Sequence, residues 1–417
     1  MSNEVSHQST PFRWPPAWSD PSLLNKLKDS PVNCLLDAPE TIANAARASG
    51  LTAVTRDEAA NSIYFVPDPQ WPGIRPRKQN DSADSGPTGA PWVDANVWAI
   101  RLAQALNPGK LIWVEAVPEK NTVQNDSAYQ LAVAESAVLG ARWVIALDEP
   151  FAKALAADDR AMQTRWQKMV NAIRFFHDLR PRAAMALKAN LAVVSDFAGA
   201  NEFLGREFLN MADRRNLAYH IAPKSSAVTQ LANPPATVIY LDEEAPGAQL
   251  AATLKQTANG GALLIASKQS GIGAWGDAPA PAPIPGYQMR SLGKGRIATP
   301  VKAWDDPYVL AAEARILVGR RTDVLRLFNA GSMNALYARS NDRSSGFIHL
   351  LNYSRWRSNE QVSVATADDY SSARLLSLEH PTPELVKLNP RKERFCEIPV
   401  RSFSVYSAVE LTGSKKG

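Results

Sequence analysis

Short apolar runs alternate with helical patterns in the first part of the chain, up to about Pro181. Glycines at positions 50 and 140, and the Asn-Pro-Gly triplet at 107–109, mark the ends of predicted helices. Strands that alternate with helices in this way indicate a parallel sheet with helical crossovers. The predicted strands cover residues 32–37, 51–56, 63–66, 110–116 and 142–147, and the predicted helices 39–49, 93–106, 127–139 and 160–178.

These strands are too few for a complete eight-stranded barrel, which normally needs roughly 250 residues. The pattern therefore predicts a shortened or incomplete TIM-like (β/α) barrel over residues 1–184. A stretch rich in Pro, Gly, Asp and Ser, residues 71–91, interrupts it and is predicted as a long loop.

The second part of the chain repeats the alternation. Its two predicted helices cover residues 201–216 and 246–258, and the second ends at Gly260-Gly261, as a C-cap should. This spacing is typical of a doubly wound, flavodoxin-like domain, which we place at residues 185–290. The predicted strands of this domain are residues 191–195, 217–221, 237–241 and 262–266.

The pattern changes again after residue 290. Short apolar strands separated by turn residues follow a predicted helix at 307–317, and this spacing is typical of an antiparallel sandwich. The sequence therefore predicts an α/β plus β protein whose third domain, residues 291–417, is a β-sandwich. Its predicted strands are residues 346–353, 361–366, 373–377, 394–398 and 402–409.

Composition excludes several classes of protein. The chain has 46 basic and 41 acidic residues, and the net charge of +5 is a mild excess without a run of five basic residues. Nucleic-acid binding is therefore not expected. Cys34 and Cys396 lie far apart without CxxC or Cys/His spacing, so we expect two buried thiols and no metal site. No cofactor is expected, since neither a GxGxxG fingerprint nor a Walker loop is found.

No apolar stretch reaches the ~18 residues of a membrane span. The first 16 residues are polar and Pro-rich and lack the apolar region of a signal peptide. The compartment is left open by the sequence: periplasmic or secreted if a signal peptide has been removed, and cytoplasmic otherwise.

Five stretches carry a family resemblance. Residues 110–115 (KLIWVE) and 139–148 (LGARWVIALD) resemble the seventh and eighth strands of barrel glycoside hydrolases related to family 42 β-galactosidases. Residues 191–197 (LAVVSDF) resemble the first strand of the glutamine amidotransferase-like domain that follows such barrels. Residues 325–329 (LRLFN) and 349–353 (HLLNY) resemble their final β-domain.

The resemblance implies a hydrolase that acts on carbohydrate, with Glu115 in the place of the nucleophile that ends strand seven. The first segment departs from the family because it lacks the half of the barrel that would supply the acid/base glutamate, and has no Asn-Glu pair at the position expected for it. Amidotransferase chemistry needs a Cys nucleophile, and residues 189–288 contain no cysteine. The second domain is therefore expected to be structural or to form a homo-oligomer.

Glycoside hydrolysis by the usual route needs two carboxyl groups, ~5–5.5 Å apart for retention or ~6.5–9.5 Å apart for inversion. In barrels such groups emerge at the C-terminal ends of strands. We therefore predict Glu115 as nucleophile or general base, with Asp148 or Asp94 as the acid partner. The alternatives are an exposed strand end or a structural ion pair for Glu115, and helix N-caps for Asp148 and Asp94.

Further candidates would contact the substrate. Asp37 ends the first predicted strand, where a helix N-cap is the alternative, and Glu149 follows Asp148 at a strand end. Trp71 and Trp92 bracket the long loop that contains Arg75, and an indole ring can stack on the apolar face of a sugar. Ordinary hydrophobic packing is the alternative for both tryptophans.

Two functions from different classes remain. The first is hydrolysis of a glycosidic bond in an oligo- or polysaccharide by a two-carboxylate mechanism. The second is a catalytically degenerate carbohydrate-binding or assembly protein that kept the architecture and lost a carboxylate. The surroundings of Glu115 discriminate between them, because a catalytic carboxylate must face a cavity that substrate can enter.

Overall fold

A computed structural model describes residues 5–74, 93–120, 122–183, 185–354, 356–358, 361–390 and 396–414. The predicted substrate contacts Arg75 and Trp92 lie outside these ranges. Within them, no helix combines the length and apolar character that crossing a bilayer requires. Cys34 and Cys396 are buried free thiols, and burial raises the pKa of Cys34 to about 12.

The first unit alternates short strands and helices. Its strands are β1 (Pro11–Arg13), β2 (Cys34–Leu36), β3 (Thr52–Val54), β4 (Ile63–Phe65), β5 (Gly73–Ile74), β6 (Val93–Asp94), β7 (Leu111–Val114) and β8 (Arg142–Trp143). Its helices are α1 (Glu40–Ala48), α2 (Arg56–Ala59), α3 (Val97–Leu106), α4 (Asp126–Val138), α5 (Glu149–Ala156) and α6 (Arg160–Ala183).

Six of these strands form a curved parallel sheet. The ladders β3-β2-β1 and β4-β7-β8 are joined by a parallel bridge between Phe12 and Ile145, which gives the order β3-β2-β1-β8-β7-β4. No ladder in the described residues joins the outer strands β3 and β4, so no closed barrel is formed. The sequence prediction had missed β1, which is only three residues long.

The inner face of this sheet is apolar. Every second side chain of a strand faces the same side, and Leu36, Ile63, Trp113 and Val144 meet there in one buried cluster. Trp113 is fully buried. In this alternation Glu115 lies on the same side as Trp113, at the C-terminal end of β7, so the sheet aims its carboxylate over the apolar cluster.

The second unit is built on a seven-stranded sheet. After β9 (Ala186–Leu187) come β10 (Leu191–Ser195), β11 (Tyr219–Pro223), β12 (Thr237–Tyr240), β13 (Leu263–Ala266), β14 (Ala278–Ala280), β15 (Tyr287–Leu292) and β16 (Gly295–Pro300). The helices are α7 (Glu202–Arg214), α8 (Ala227–Gln230), α9 (Ala248–Asn259) and α10 (Pro307–Val318).

The strand order of this sheet is β11-β10-β12-β13-β16-β15-β14, and its first five strands are parallel. That order is the 2-1-3-4-5 arrangement of flavodoxin-like sheets. The last two strands are antiparallel, and the sheet continues to Pro300, past the predicted boundary at residue 290.

The third unit contains two antiparallel sheets, ordered β17-β20-β24-β23 and β22-β21-β25-β19-β18-β9. Residues of both sheets, among them Leu350, Val364 and Ile398, share one buried cluster, as in a sandwich. The strands are β17 (Leu325–Phe328), β18 (Met333–Arg339), β19 (Ser345–Asn352), β20 (Ser363–Thr366), β21 (Tyr370–Ser377), β22 (Glu384–Val386), β23 (Asn389–Pro390), β24 (Cys396–Pro399) and β25 (Tyr406–Ser414).

The three units pack directly on one another. Phe176 of α6 stacks edge-on against Tyr406 of β25 at 4.8 Å between ring centroids, and both belong to the core of the first unit. Leu102 of α3 is buried in the core of the second unit. These shared cores place α3, the end of α7 and the start of β18 side by side.

Candidate functional site

Glu115 is enclosed by two arginines. Arg13 Nε donates to Glu115 Oε1 at 2.5 Å, and Arg56 Nη1 donates to Oε2. The Glu115 side chain is 3% exposed. Both carboxylate oxygens therefore accept charge-assisted hydrogen bonds from groups that lie between Glu115 and solvent. This is the ion-paired arrangement that the sequence left open as the alternative to a catalytic role.

Asp37 belongs to the same group, which we call the strand-end cluster: Arg13, Asp37, Arg56 and Glu115. Arg13 Nη2 donates to Asp37 Oδ2 at 2.8 Å, and the backbone N–H of Arg56 donates to Asp37 Oδ1 at 2.7 Å. The predicted helix-capping alternative for Asp37 is wrong, since α1 has Pro39 as its N-cap and no side-chain cap. The cluster instead joins the ends of β1, β2, β3 and β7.

The electrostatics of the strand-end cluster favour the charged state of Arg13. Burial acts to lower the pKa of Arg13, but the adjoining carboxylates of Glu115 and Asp37 outweigh it and raise that pKa. The guanidinium of Arg56 also stacks over the Phe65 ring, 4.1 Å from its centroid. Ionic and aromatic contacts together hold both arginines over the apolar cluster.

Asp148 caps a helix. Its carboxylate accepts hydrogen bonds from the backbone N–H of Phe151 at 2.9 Å, from that of Gln124 at 3.2 Å and from the Tyr129 hydroxyl at 3.1 Å. The side chain is fully buried, and its N-cap position starts α5. Glu149, the next residue, is exposed and pairs with Lys153 at 2.5 Å, which lowers its pKa.

Replacing Asp148 with alanine is expected to lower the free energy of unfolding by about 2 kcal/mol, the upper range for a lost N-cap. The reason is that α5 loses its cap while the buried Tyr129 hydroxyl and the half-buried Gln124 N–H lose their acceptor. Urea unfolding followed by circular dichroism measures this. Glu149→Ala is the matched control, and its effect should stay under about 0.5 kcal/mol. Equal effects in the two variants would contradict the structural role of Asp148.

Trp71 and Asp94 line one cavity of about 390 Å³, which we call the Trp71 cavity. The Trp71 ring is half-buried and packs edge-on against Tyr129 and Trp143, at 5.1 Å in each case. Most of the remaining wall is polar: Gln70, Glu119, Thr122, Gln124, Asn125, Ser127, Asn352 and Ser354. A flat aromatic ring beside hydroxyl, amide and carboxylate groups is suited to a sugar.

The pairing of β5 with β6 brings these two residues together, because Gly73 faces Asp94 in that ribbon. Asn96 holds Gln70, the residue before Trp71, through two hydrogen bonds. Its side chain accepts a hydrogen bond from the Gln70 N–H and donates one to the Gln70 carbonyl, each at 2.8 Å. Asp94 and Gln70 also line a larger cleft of about 570 Å³ between α3 and α7, where the Phe203 ring is exposed.

Glu135 was missed by the sequence analysis. It is fully buried and accepts hydrogen bonds from Asn96 N–H, Asn96 Nδ2 and the Tyr353 hydroxyl, each at 2.8 Å. Burial raises its pKa to about 7, although these hydrogen bonds act to lower it. A glutamate inside the apolar stretch 131–139 is the signal that could have found it, since a buried carboxyl group needs partners.

The sites predicted from sequence therefore separate into three places. Glu115 and Asp37 meet in the strand-end cluster, Trp71 and Asp94 meet in the Trp71 cavity, and Asp148 with Glu149 starts α5. Within the described ranges, no group of three His, Cys, Asp or Glu side chains is arranged to hold a metal ion.

Comparison with known proteins gives a result only at the level of structure. No protein-family model matches the sequence. No curated protein matches it either.

Solved glycosidase structures do match. The α-L-fucosidase isoenzyme 2 from Paenibacillus thiaminolyticus aligns with a TM-score of 0.54 and 12% identity, over 90% of this chain and 70% of its own. Gan42B, a GH42 β-galactosidase from G. stearothermophilus, aligns with a TM-score of 0.52 and 10% identity, over 88% of this chain and 60% of its own. The β-galactosidase from Bacillus circulans sp. alkalophilus aligns with a TM-score of 0.52 and 11% identity, over 76% of this chain and 58% of its own.

This chain thus spans 60% and 58% of the lengths of the two β-galactosidases. At such low identity the likeness concerns the fold and leaves activity open. The resemblance to glycoside hydrolases is supported to that extent, and the amidotransferase-like assignment of residues 191–197 stays a prediction. The chain has a mixed α/β fold of the glycoside hydrolase kind.

Proposed function

We propose that this chain binds carbohydrate in the Trp71 cavity and that its strand-end carboxylates serve the fold rather than bond cleavage. The structural role of the strand-end carboxylates is supported by the enclosure of Glu115 between Arg13 and Arg56, which leaves its side chain 3% exposed. A nucleophile or general base must reach the anomeric carbon or a water molecule beside it. Both carboxylate oxygens of Glu115 instead accept hydrogen bonds from guanidinium groups.

The Trp71 cavity supports the first half of the proposal. Sugars combine apolar CH faces with many hydroxyl groups, and the cavity offers an aromatic ring among acceptors and donors. Its volume of about 390 Å³ lies at the lower end of ligand pockets. The ligand is therefore the end of an oligosaccharide rather than a long internal stretch. The glycosidase-like fold favours the same ligand class.

Hydrolysis is the second candidate. It is favoured by one observation: Asp94 and Glu119 line the same cavity as Trp71, so two carboxyl groups and an aromatic ring surround one space. In this candidate Asp94 keeps the predicted acid role and Glu119 supplies the second carboxylate. The mechanism predicted with Glu115 and Asp148 stays a prediction, and it needs Glu115 to be released from its arginines.

Replacing Trp71 with alanine is expected to weaken oligosaccharide binding about tenfold, which corresponds to about 1.4 kcal/mol. Isothermal titration calorimetry with a panel of neutral oligosaccharides, run on the full chain, measures this. Thr122→Trp narrows the same cavity from a half-buried loop residue and should weaken binding at least tenfold without disturbing the core. Trp275→Ala, in the second unit, is the matched control and should bind normally.

Release of reducing sugar from the same panel decides between the two candidates. Binding without release supports the main proposal. Release that is lost in Asp94→Asn and Glu119→Gln but kept in Glu115→Gln supports hydrolysis in the Trp71 cavity. Release that is lost in Glu115→Gln, with the fold intact, overturns the structural role of the strand-end cluster. Absence of binding to every glycan overturns the proposal.

A further inference from the structure

The larger cleft of about 570 Å³ runs between two helix faces, and we call it the α3–α7 cleft. Its lining residues on α7 are spaced three and four positions apart, so they share one face of that helix. They are Phe203, Arg206, Glu207 and Asn210. The α3 wall is apolar and is formed by Trp98, Ala99, Leu102, Ala103 and Leu106. The cleft therefore offers hydrogen-bonding groups on one side and an apolar surface on the other.

Phe203 presents an aromatic ring to this cleft. The residue is 68% exposed in the first turn of α7, and Leu106 on the α3 wall is 41% exposed. Two large apolar side chains exposed on the two walls of one concave space are expected of a ligand site rather than of scattered surface residues. An aromatic ring beside carboxylate and amide groups provides the contacts that a sugar makes through its CH face and its hydroxyl groups.

The α3–α7 cleft borders the Trp71 cavity. Gln70 and Asp94 line both spaces, so a ligand chain that leaves the Trp71 cavity past these two residues enters the cleft. The border is fixed by Asn96, whose side chain holds the Gln70 backbone through two hydrogen bonds. The two spaces therefore form one path from Trp71 to Phe203.

The length of the cleft fits a continuation of the ligand. Phe203 and Asn210 are separated by about 10 Å along the axis of α7, at a rise of about 1.5 Å per residue. That distance accommodates about two linked sugar rings, and the volume of about 570 Å³ lies within the range of ligand pockets. The end of an oligosaccharide in the Trp71 cavity thus has space for its next rings in the cleft.

The charges at the cleft disfavour an anionic ligand. Among the described residues that line it, carboxylates outnumber guanidinium groups: Asp68, Asp94, Glu202 and Glu207 stand beside Arg206. Arg206 Nη2 already pairs with Glu202 Oε1 at 2.8 Å. A uronic acid or a sulfated sugar would bring negative charge toward these carboxylates, and like charges repel. A neutral sugar chain meets no such penalty.

We propose that the α3–α7 cleft is a second subsite of the oligosaccharide site, in which the Phe203 ring stacks on sugar rings that follow the one held by Trp71. The ligand is then a neutral oligosaccharide of at least three units, with its end in the Trp71 cavity. This inference rests on carbohydrate binding in that cavity and adds chain length and charge to the proposed function.

Calorimetric titration of the full chain with cellobiose, maltose and β-1,4-galactobiose, and with the tetrasaccharide of each series, tests the inference. In at least one series the tetrasaccharide is expected to bind about tenfold more tightly than the disaccharide, a gain of about 1.4 kcal/mol. Phe203→Ala should remove this gain and leave the disaccharide affinity unchanged, because the ring contacts only the longer ligand. Phe203→Tyr keeps the stacking face and should keep the gain.

Two further measurements serve as controls. Leu385→Ala removes an exposed apolar side chain from the third unit, and it should change the affinity for neither length. Tetragalacturonic acid should bind more weakly than the neutral tetrasaccharide that shows the gain, because its carboxylates face those of the cleft. Since Phe203 is itself exposed, Phe203→Ala should unfold at the same urea concentration as the natural protein.

The possible failures are distinguishable. Equal affinities for disaccharide and tetrasaccharide overturn the inference while the proposed function stands. A gain with length that persists in Phe203→Ala also overturns it, because the chain then leaves the Trp71 cavity in another direction. Equal losses for both lengths in Phe203→Ala, or tighter binding of tetragalacturonic acid, overturn it as well. Absence of binding at every length overturns the proposed function, and this inference with it.

Discussion

Replacing Arg13 with methionine is expected to lower the free energy of unfolding by about 3 kcal/mol, the range for breaking a buried ion pair from one side. Glu115 is 3% exposed, so its carboxylate would keep only Arg56 as a charged partner. Asp37 would lose the hydrogen bond from Arg13 Nη2 in the same step. Methionine retains much of the apolar volume, so the loss reports on charge rather than on packing.

A double-mutant cycle isolates this effect. Glu115→Gln removes the charge that Arg13 balances, so Arg13→Met should cost less in that background, with a coupling energy of about 1–3 kcal/mol. Urea unfolding of the four proteins measures it. Arg401→Met breaks an exposed pair with Glu384, half-exposed on both sides, and should cost under about 1 kcal/mol.

The opposite result has a clear meaning. If Arg13→Met costs no more than Arg401→Met and shows no coupling to Glu115, then the carboxylate does not depend on its arginines. It would be accessible in solution, and its predicted role as a nucleophile would gain weight. The cycle therefore tests the same claim as the hydrolysis assay, by a measurement that needs no substrate.

Strands that alternate with helices could be predicted because burial on both faces produces continuous apolar runs. Residues 191–195, for example, are predicted and observed as a strand. The strand Pro11–Arg13 was not predicted, because three residues are too few to show an alternating pattern. Its pairing partners lie far along the chain. The strand Ala278–Ala280 was not predicted either, because proline is disfavoured inside strands.

The candidate site was harder to predict than the fold. A carboxylate at the end of an apolar strand drew attention to Glu115. Its partners Arg13 and Arg56 are 102 and 59 positions away, so no local pattern could join them. Long-range packing likewise explains why Leu106 and Phe203, on different units, gave no signal in the sequence.

Glu135 links the units in a way that makes stability depend on pH. Asn96 comes from the start of α3 and Tyr353 from the third unit, and both donate to the Glu135 carboxylate on α4. Burial raises the pKa of Glu135 from 4.5 to about 7, so the folded chain holds its proton more tightly than the unfolded chain. The resulting stability is fully present below pH 4.5 and is lost as pH rises through about 7.

Glu135→Gln is therefore expected to match the natural protein near pH 4.5 and to exceed its free energy of unfolding by about 3 kcal/mol at pH 8. Glutamine keeps an oxygen to accept from Asn96 and carries no charge to desolvate. Glu149→Gln, at an exposed site, should show no such rise between pH 4.5 and 8. A difference that stays constant with pH for Glu135→Gln would mean that this carboxyl group titrates normally and that the junction of the units is wetter than its contacts indicate.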